Sequence, residues 1–195
     1  MEKHKKHFFI LLGIYIVILI WGIILKASMI DIVRSNFYYM VSLDLYSRLT
    51  YSPFNPFSMA YTNPKENLLN FAAFIPYGFI LSTLSKKRTF IKSVGLSLLI
   101  SLIFEVSQVF TAIGGFAASD LMFNTLGGMA GFVIFALFDW IRSRCGQGAY
   151  EKITAAVVIA GYVCFVPLAV YGIGKTIYHI DFYLSLIEPM INSLR

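Results

Sequence analysis

Charge and cysteine are both scarce in this chain. Of its 195 residues, 13% are charged and 58% are hydrophobic, whereas a soluble domain carries about 25% charged residues. The two cysteines lie apart, Cys145 in a basic connection and Cys164 inside an apolar block. The first shortage excludes an ordinary soluble domain, and the second implies no disulfide framework. No linker, repeat or low-complexity tract divides residues 1–195, so we predict a single domain.

The apolar residues are grouped into long blocks, each near the roughly 20 residues that a membrane-spanning helix needs. The blocks cover residues 8–25, 66–84, 91–110, 120–138 and 153–174. A basic segment, MEKHKKH, precedes the first block, but this block is longer than a secretory signal's apolar region and no small-x-small cleavage site follows it. We therefore predict an all-α integral membrane protein with about five transmembrane helices.

The positions of Lys and Arg predict the orientation of these helices. They gather before the first block, between the second and third, and between the fourth and fifth, whereas the connection TAIGGFAAS has none. Ten of the sixteen fall there, namely Lys3, Lys5, Lys6, Lys86, Lys87, Arg88, Lys92, Arg142, Arg144 and Lys152. The positive-inside rule then places the N-terminus in the cytoplasm and the C-terminus outside. This pattern, in a chain of net charge +6, also argues against nucleic-acid binding.

Two segments are predicted to lie at the outer membrane surface. The first connection, residues 26–65, is dense in Tyr and Phe, which favour the headgroup level. The tail after residue 174 carries apolar residues three and four positions apart, namely Ile177, Ile180, Leu184, Ile187, Ile191 and Leu194. This spacing predicts an amphipathic helix that lies on the surface or caps the bundle. A packing helix without a membrane role explains it equally well.

Polar residues recur in three of the blocks at one predicted depth. The pairs are Asn67 with Asn70, Glu105 with Gln108, and Asp120 with Asn124. Members of a pair share one helix face, and the predicted topology places all three pairs in the outer third of the bilayer. A membrane-buried acid such as Glu105 indicates function by default. For the amides, hydrogen bonding between helices is the alternative, and for Asp120 a helix N-cap, with Ser119 competing for that position.

Small residues and a proline predict close helix packing beside these pairs. Gly127 and Gly131 form a G-xxx-G spacing, which lets helix four approach a neighbour closely. Pro76 should kink helix two and free a carbonyl group near its middle. We interpret these residues as structural.

The same residues resemble the motifs of the VanZ-like family. NFAAFIPYG (residues 70–78) is similar to the family's N-x-x-x-F-x-P-x-G, EVSQ (105–108) to its E-x-x-Q, and DLMFNTLGGMAG (120–131) to its D-x-x-x-N-x-x-G-x-x-x-G. Order and spacing both agree, and the motifs include Pro76, Gly78, Gly127 and Gly131. One departure is that family members often carry an Arg after the E-x-x-Q, and VFTAIGGFAAS has none. Its role would be vacant here or filled from the first connection by Arg34, Arg48 or Lys65.

The resemblance implies a multi-pass protein of the bacterial plasma membrane, in the cell envelope of a Gram-positive organism. It further implies low-level resistance to teicoplanin, a lipoglycopeptide antibiotic that binds peptidoglycan precursors. We expect an outer-leaflet pocket that engages membrane lipids and a lipid-anchored ligand, either the antibiotic's acyl tail or a precursor lipid. The residues expected to bind this ligand are Asn70, Glu105, Gln108, Asp120 and Asn124.

Other functions stay open at this point. In a membrane enzyme that modifies an envelope lipid, Glu105 and Asp120 would serve as catalytic acid and base or as ligands of a divalent cation. No nucleophile elbow or phosphate-binding loop supports that alternative, and the sequence predicts no cofactor and no dedicated metal site. Partner binding is a third possibility. Transport is disfavoured because five helices show no visible inverted repeat.

Overall fold

The computed structural model describes residues 2–24, 64–85, 90–111, 116–181 and 184–185, and these residues form helices and no strands. Helix α1 spans Glu2–Leu19 and continues as a π-helical turn over Ile20–Ile24; α2 spans Pro64–Leu84, α3 Phe90–Thr111, α4 Ala118–Ser143 and α5 Gln147–Tyr178. Five helices in this part of the chain are long and apolar enough to cross a membrane. The predicted all-α architecture is therefore confirmed for the described residues, and so is the number of helices that are able to span a membrane.

Several helices extend beyond the apolar blocks that predict them. Helix α1 begins at Glu2 and so includes most of the basic segment, while α4 reaches Ser143 and α5 begins at Gln147. The connection between the last two helices is therefore only residues 144–146. Hydropathy marks the part of a helix that lies in lipid, whereas Lys, Arg and Glu are good helix formers and let it continue into water.

Two of the predictions concern residues outside the described part of the chain. The aromatic first connection lies there almost entirely, and so does most of the amphipathic tail. The first residues of that tail, 175–178, belong to α5, which is longer than its apolar block. The orientation of the termini stays a prediction.

Glycines bring α2 and α4 into backbone contact. A Cβ atom on Gly131 would lie 2.7 Å from the backbone nitrogen of Phe79, and one on Gly78 would lie 2.8 Å from the Cα atom of Gly128. Gly127 is equally confined by α2. Real Cβ atoms essentially never approach other atoms this closely, so no larger residue fits at these positions without separating the helices. Among the described helices, these two share the most extensive contact.

Helix α1 connects α5 to the other helices. Leu11 and Tyr15 are buried; a Cβ atom on Gly161 of α5 would lie 2.9 Å from the Leu11 side chain. The ring of Tyr15 lies 4.8 Å from that of Phe165 on α5, and its hydroxyl donates a 2.7 Å hydrogen bond to the backbone carbonyl of Ala73 on α2. One side chain therefore contacts both neighbours of α1.

That hydrogen bond lies beside Pro76. Helix α2 continues through Pro76, which has no N–H group to donate to the carbonyl of Ala72 one turn earlier. The adjacent carbonyl, that of Ala73, receives the hydroxyl of Tyr15. Helix α1 thus supplies a hydrogen-bond donor next to the point where Pro76 removes a backbone hydrogen bond from α2. Membrane helices tolerate internal prolines when neighbouring helices supply such donors.

Candidate functional site

The polar residues that form the three pairs in the sequence, spaced three or four positions apart, are all buried. Their exposed fractions range from 0% for Glu105 and Asn124 to 9% for Asn70. They lie at the end of the bundle where α2 and α4 begin and α3 ends. We call them the polar layer, which consists of Asn67, Asn70, Glu105, Gln108, Asp120 and Asn124. Since each is buried in the chain itself, their side chains face other helices and not the surrounding lipid.

Contacts between the helices place the members of this layer at one level. On α2 and α4, which run in the same direction, Phe71 and Phe74 lie against Gly127. One to two turns earlier on both helices, this register places Asn67 and Asn70 of α2 alongside Asp120 and Asn124 of α4.

Helix α3 runs in the opposite direction and brings its own polar residues to the same level. Ser97 lies against Gly128, with its Cβ atom 2.5 Å from where a Cβ on that glycine would be. Two turns further along α3, Glu105 reaches the backbone of Ala117 at the start of α4. The structure therefore brings together the polar pairs of all three helices, which the sequence places only at a common depth.

Glu105 is held by the N-terminus of α4. Its Oε2 atom accepts a 2.8 Å hydrogen bond from the backbone N–H of Ala117, the N-cap residue of α4, whose own side chain makes no capping bond. A carboxylate at a helix N-terminus is stabilised by unpaired N–H groups and by the helix dipole. The buried acid therefore has a structural function: it caps α4 from a different helix.

This geometry corrects the alternative interpretation of Asp120. The N-cap is Ala117, and both Ser119 and Asp120 lie inside the first turn of α4, so neither is the N-cap. The side chain of Asp120 is 6% exposed. Its position still places a second acidic group near the positive end of α4, where negative charge is favourable.

The carboxamides of α3 and α4 make specific contacts. Gln108 donates from Nε2 to the backbone carbonyl of Ile23, 3.1 Å away, in the π-helical turn that follows α1. Asn124 donates from Nδ2 to the hydroxyl of Ser101 on α3, 2.9 Å away. Gln108 thus connects α3 to α1, and Asn124 connects α4 to α3.

Four buried polar atoms in and beside the layer have no hydrogen-bond partner among the described residues. They are Nδ2 of Asn67, Nδ2 of Asn70, Oγ of Ser119 and Oδ1 of Asn124. Leaving such a group unsatisfied costs about 1–3 kcal/mol, and buried polar groups are normally completed by protein, water or a ligand. The sequence motifs do not indicate Ser119 as a binding residue. Its only signal in the sequence is a hydroxyl group next to Asp120.

The donor set does not resemble a metal centre. No group of three or more His, Cys, Asp and Glu residues that could hold an ion occurs in the part of the chain that the structure describes. A divalent cation between Glu105 and Asp120 would therefore have to draw on amide, hydroxyl or water oxygens as well.

The structure corrects the predicted position of Arg142. Arg142, predicted as a cation of a cytoplasmic connection, is 1% exposed and lies inside α4. It forms an ion pair with Asp139, donates to the hydroxyl of Thr154 on α5 at 3.3 Å, and lies 4.2 Å from the ring centre of Tyr150. It therefore joins α4 to α5 at the end of the bundle opposite the polar layer. Asp139, three residues earlier, is the sequence signal for this pairing.

Fold and site together define a class of protein: a multi-pass helical membrane protein that buries acids and carboxamides where three of its helices meet. The family model described as VanZ/LLP1 matches residues 11–139, which include the polar layer and end before α5. The chain is also 30% identical over 161 residues to "Protein VanZ" of Enterococcus faecium. The aligned region covers 83% of this chain and 89% of that protein. The chain belongs to the VanZ/LLP1 family, as its motifs predict. No solved structure matches it.

Proposed function

We propose that this chain is a cell-envelope protein of the bacterial plasma membrane that contributes to low-level teicoplanin resistance. In this proposal the polar layer engages a lipid-anchored ligand that enters from the outer leaflet between α2, α3 and α4. The ligand is either the lipoglycopeptide itself or a peptidoglycan-precursor lipid. Membership of the VanZ/LLP1 family supports the link to resistance, and the buried polar atoms support binding.

The observation that carries the proposal is the set of incompletely bonded polar atoms in the layer. Asn67, Asn70 and Asn124 each bury an amide atom without a partner among the described residues. Acyl chains cannot complete these hydrogen bonds, because hydrocarbon offers neither donors nor acceptors. A ligand with a polar head and an apolar tail would satisfy the amides while its tail stays in the lipid.

Glu105 has a dual role in this proposal. Its Oε2 atom holds the start of α4 through Ala117, and it presents an ionisable carboxyl group to the layer in which the ligand's polar head would lie. The charge and the capping bond can be separated by substitution. In Glu105→Gln the amide oxygen can still accept the N–H of Ala117, whereas Glu105→Ala removes both the bond and the charge.

The test is teicoplanin tolerance in a susceptible host that expresses the protein. We expect the wild type to raise the minimal inhibitory concentration and Glu105→Gln to abolish this gain at equal protein level in the membrane. Glu151→Gln is the matched control, because Glu151 is an exposed acid on α5. Tolerance that is unchanged in Glu105→Gln would remove the charge of Glu105 from the mechanism.

A second candidate function is lipid modification, favoured by the presence of two buried carboxyl groups at the start of α4. Glu105 bonds to Ala117, and Asp120 lies one turn further into the helix, its backbone N–H donating to the carbonyl of Ala117 at 3.1 Å. Such a pair can work as acid and base. Mass spectrometry of lipids from expressing and non-expressing cells separates the two functions: an altered lipid that disappears with Asp120→Asn would establish catalysis in place of binding.

A further inference from the structure

We infer that the polar layer recognises a neutral sugar head group of a membrane lipid, and that Asn67 and Ser119 are contact residues for its hydroxyls. The inference rests on the proposed function and narrows its ligand: a neutral sugar head favours a glycosylated ligand over the precursor lipid, whose phosphate linkage is anionic. It adds two residues to those that the motifs indicate.

The incompletely bonded atoms are of both kinds, donor and acceptor. Nδ2 of Asn67 and of Asn70 donate, Oδ1 of Asn124 accepts, and the hydroxyl of Ser119 does either. All four are fully buried atoms without a hydrogen-bond partner among the described residues. A sugar hydroxyl donates one hydrogen bond and accepts two, so a set of sugar hydroxyls can satisfy both kinds of atom. A phosphate diester only accepts, and it would leave Asn124 unsatisfied.

The two acidic side chains described at this level favour the same ligand. Glu105 and Asp120 are 0% and 6% exposed and lie at the level of the amides. In a medium of low dielectric constant, an anionic head group beside two buried acids makes their ionisation more costly, whereas a neutral head group adds no like charge. A hydroxyl donates to a carboxylate and brings no charge of its own.

The packing of α2 against α4 sets one boundary of the site. Gly127 lies in contact with the backbone of Phe71 and with the Cβ atom of Phe74, which closes the space between the two helices below the layer. Asn67 lies one turn before Phe71 on α2, and Ser119 and Asn124 precede Gly127 on α4. The head group would therefore lie between the first turns of α2 and α4, with the carboxylate of Glu105 on the third side.

Titration of the purified full-length protein in phosphatidylcholine nanodiscs tests this inference. The probes are monoglucosyl-diacylglycerol, diacylglycerol and phosphatidylmethanol with identical acyl chains, the last being an anionic phosphate diester without hydroxyls. The readout is the midpoint of thermal unfolding. We expect a concentration-dependent rise with the glucosyl lipid and none with the other two. Asn67→Ala and Ser119→Ala should each weaken the apparent affinity about tenfold, the effect of losing one good hydrogen bond.

The control is Ser93→Ala, which removes a buried hydroxyl at the other end of α3, where Ser93 is 3% exposed; it should bind the glucosyl lipid like the wild type. An equal or larger shift with phosphatidylmethanol, without one for diacylglycerol, would overturn the inference in favour of an anionic head. Equal shifts with all three would overturn it in favour of the acyl chains. No shift with any probe would also overturn it. The proposed function fails separately, through teicoplanin tolerance that is insensitive to Glu105→Gln.

Discussion

Replacing Gly131 by Ala should separate α2 from α4. The added Cβ atom would lie 2.7 Å from the backbone nitrogen of Phe79 and 3.0 Å from the carbonyl carbon of Gly78, where ordinary contact begins at 3.4 Å. Both neighbours are backbone atoms, so no side-chain rotation relieves the overlap. The helices would have to move apart by roughly 0.5–1 Å, and overpacking of this kind costs about 1–3 kcal/mol.

Gly95→Ala is the matched control for this substitution. Gly95 also lies inside a helix, α3, but a Cβ atom there would meet nothing within 4 Å. Alanine is favoured over glycine in a helix by up to about 1 kcal/mol, so this variant should be neutral or slightly more stable. The free energy of unfolding in mixed detergent micelles measures both variants. If Gly131→Ala and Gly95→Ala changed it equally, close contact between α2 and α4 would be refuted.

Two further predictions concern side chains that join helices. Arg142→Met should lower the free energy of unfolding by about 1–3 kcal/mol, because Asp139 loses its ion-pair partner and Thr154 loses a hydrogen-bond donor. The control is Lys152→Met at an exposed position of α5, and equal stability of both variants would contradict the bridge. Tyr15→Phe should cost about 1 kcal/mol, because it removes the hydrogen bond to the carbonyl of Ala73 beside the proline of α2; thermal unfolding without any change would show that this bond contributes nothing.

The helical period explains which parts of the site could be predicted from the sequence. Polar residues three or four positions apart share a helix face whatever the tertiary structure, so pairs such as Glu105 with Gln108 could be recognised as units. Glycine spacing indicates close approach for the same reason, and Gly131 does lie against α2. In a membrane, exposing such polar faces to lipid costs free energy, so they are expected to lie inside the bundle.

Hydrogen bonds between side chains and backbone atoms could not be predicted in this way. Glu105 bonds to the N–H of Ala117, and a main-chain donor leaves no trace in residue identity. The same applies to Gln108, which donates to the carbonyl of Ile23 at a π-helical turn that no sequence pattern marks. The burial of Arg142 could not be predicted either, because a positive charge near a helix end is usually exposed. Here Asp139 and two residues of α5 compensate its burial.

Entry of a ligand from the outer leaflet requires that the polar layer faces the outside of the cell. A single-cysteine set in a background with Cys145→Ser and Cys164→Ser measures this: Gly114→Cys in the connection between α3 and α4, and Gln147→Cys at the start of α5. A membrane-impermeant maleimide applied to intact cells should label position 114 and should label position 147 only after permeabilisation. Labelling of 147 but not of 114 in intact cells would place the layer at the cytoplasmic side and contradict entry of a ligand from the outer leaflet.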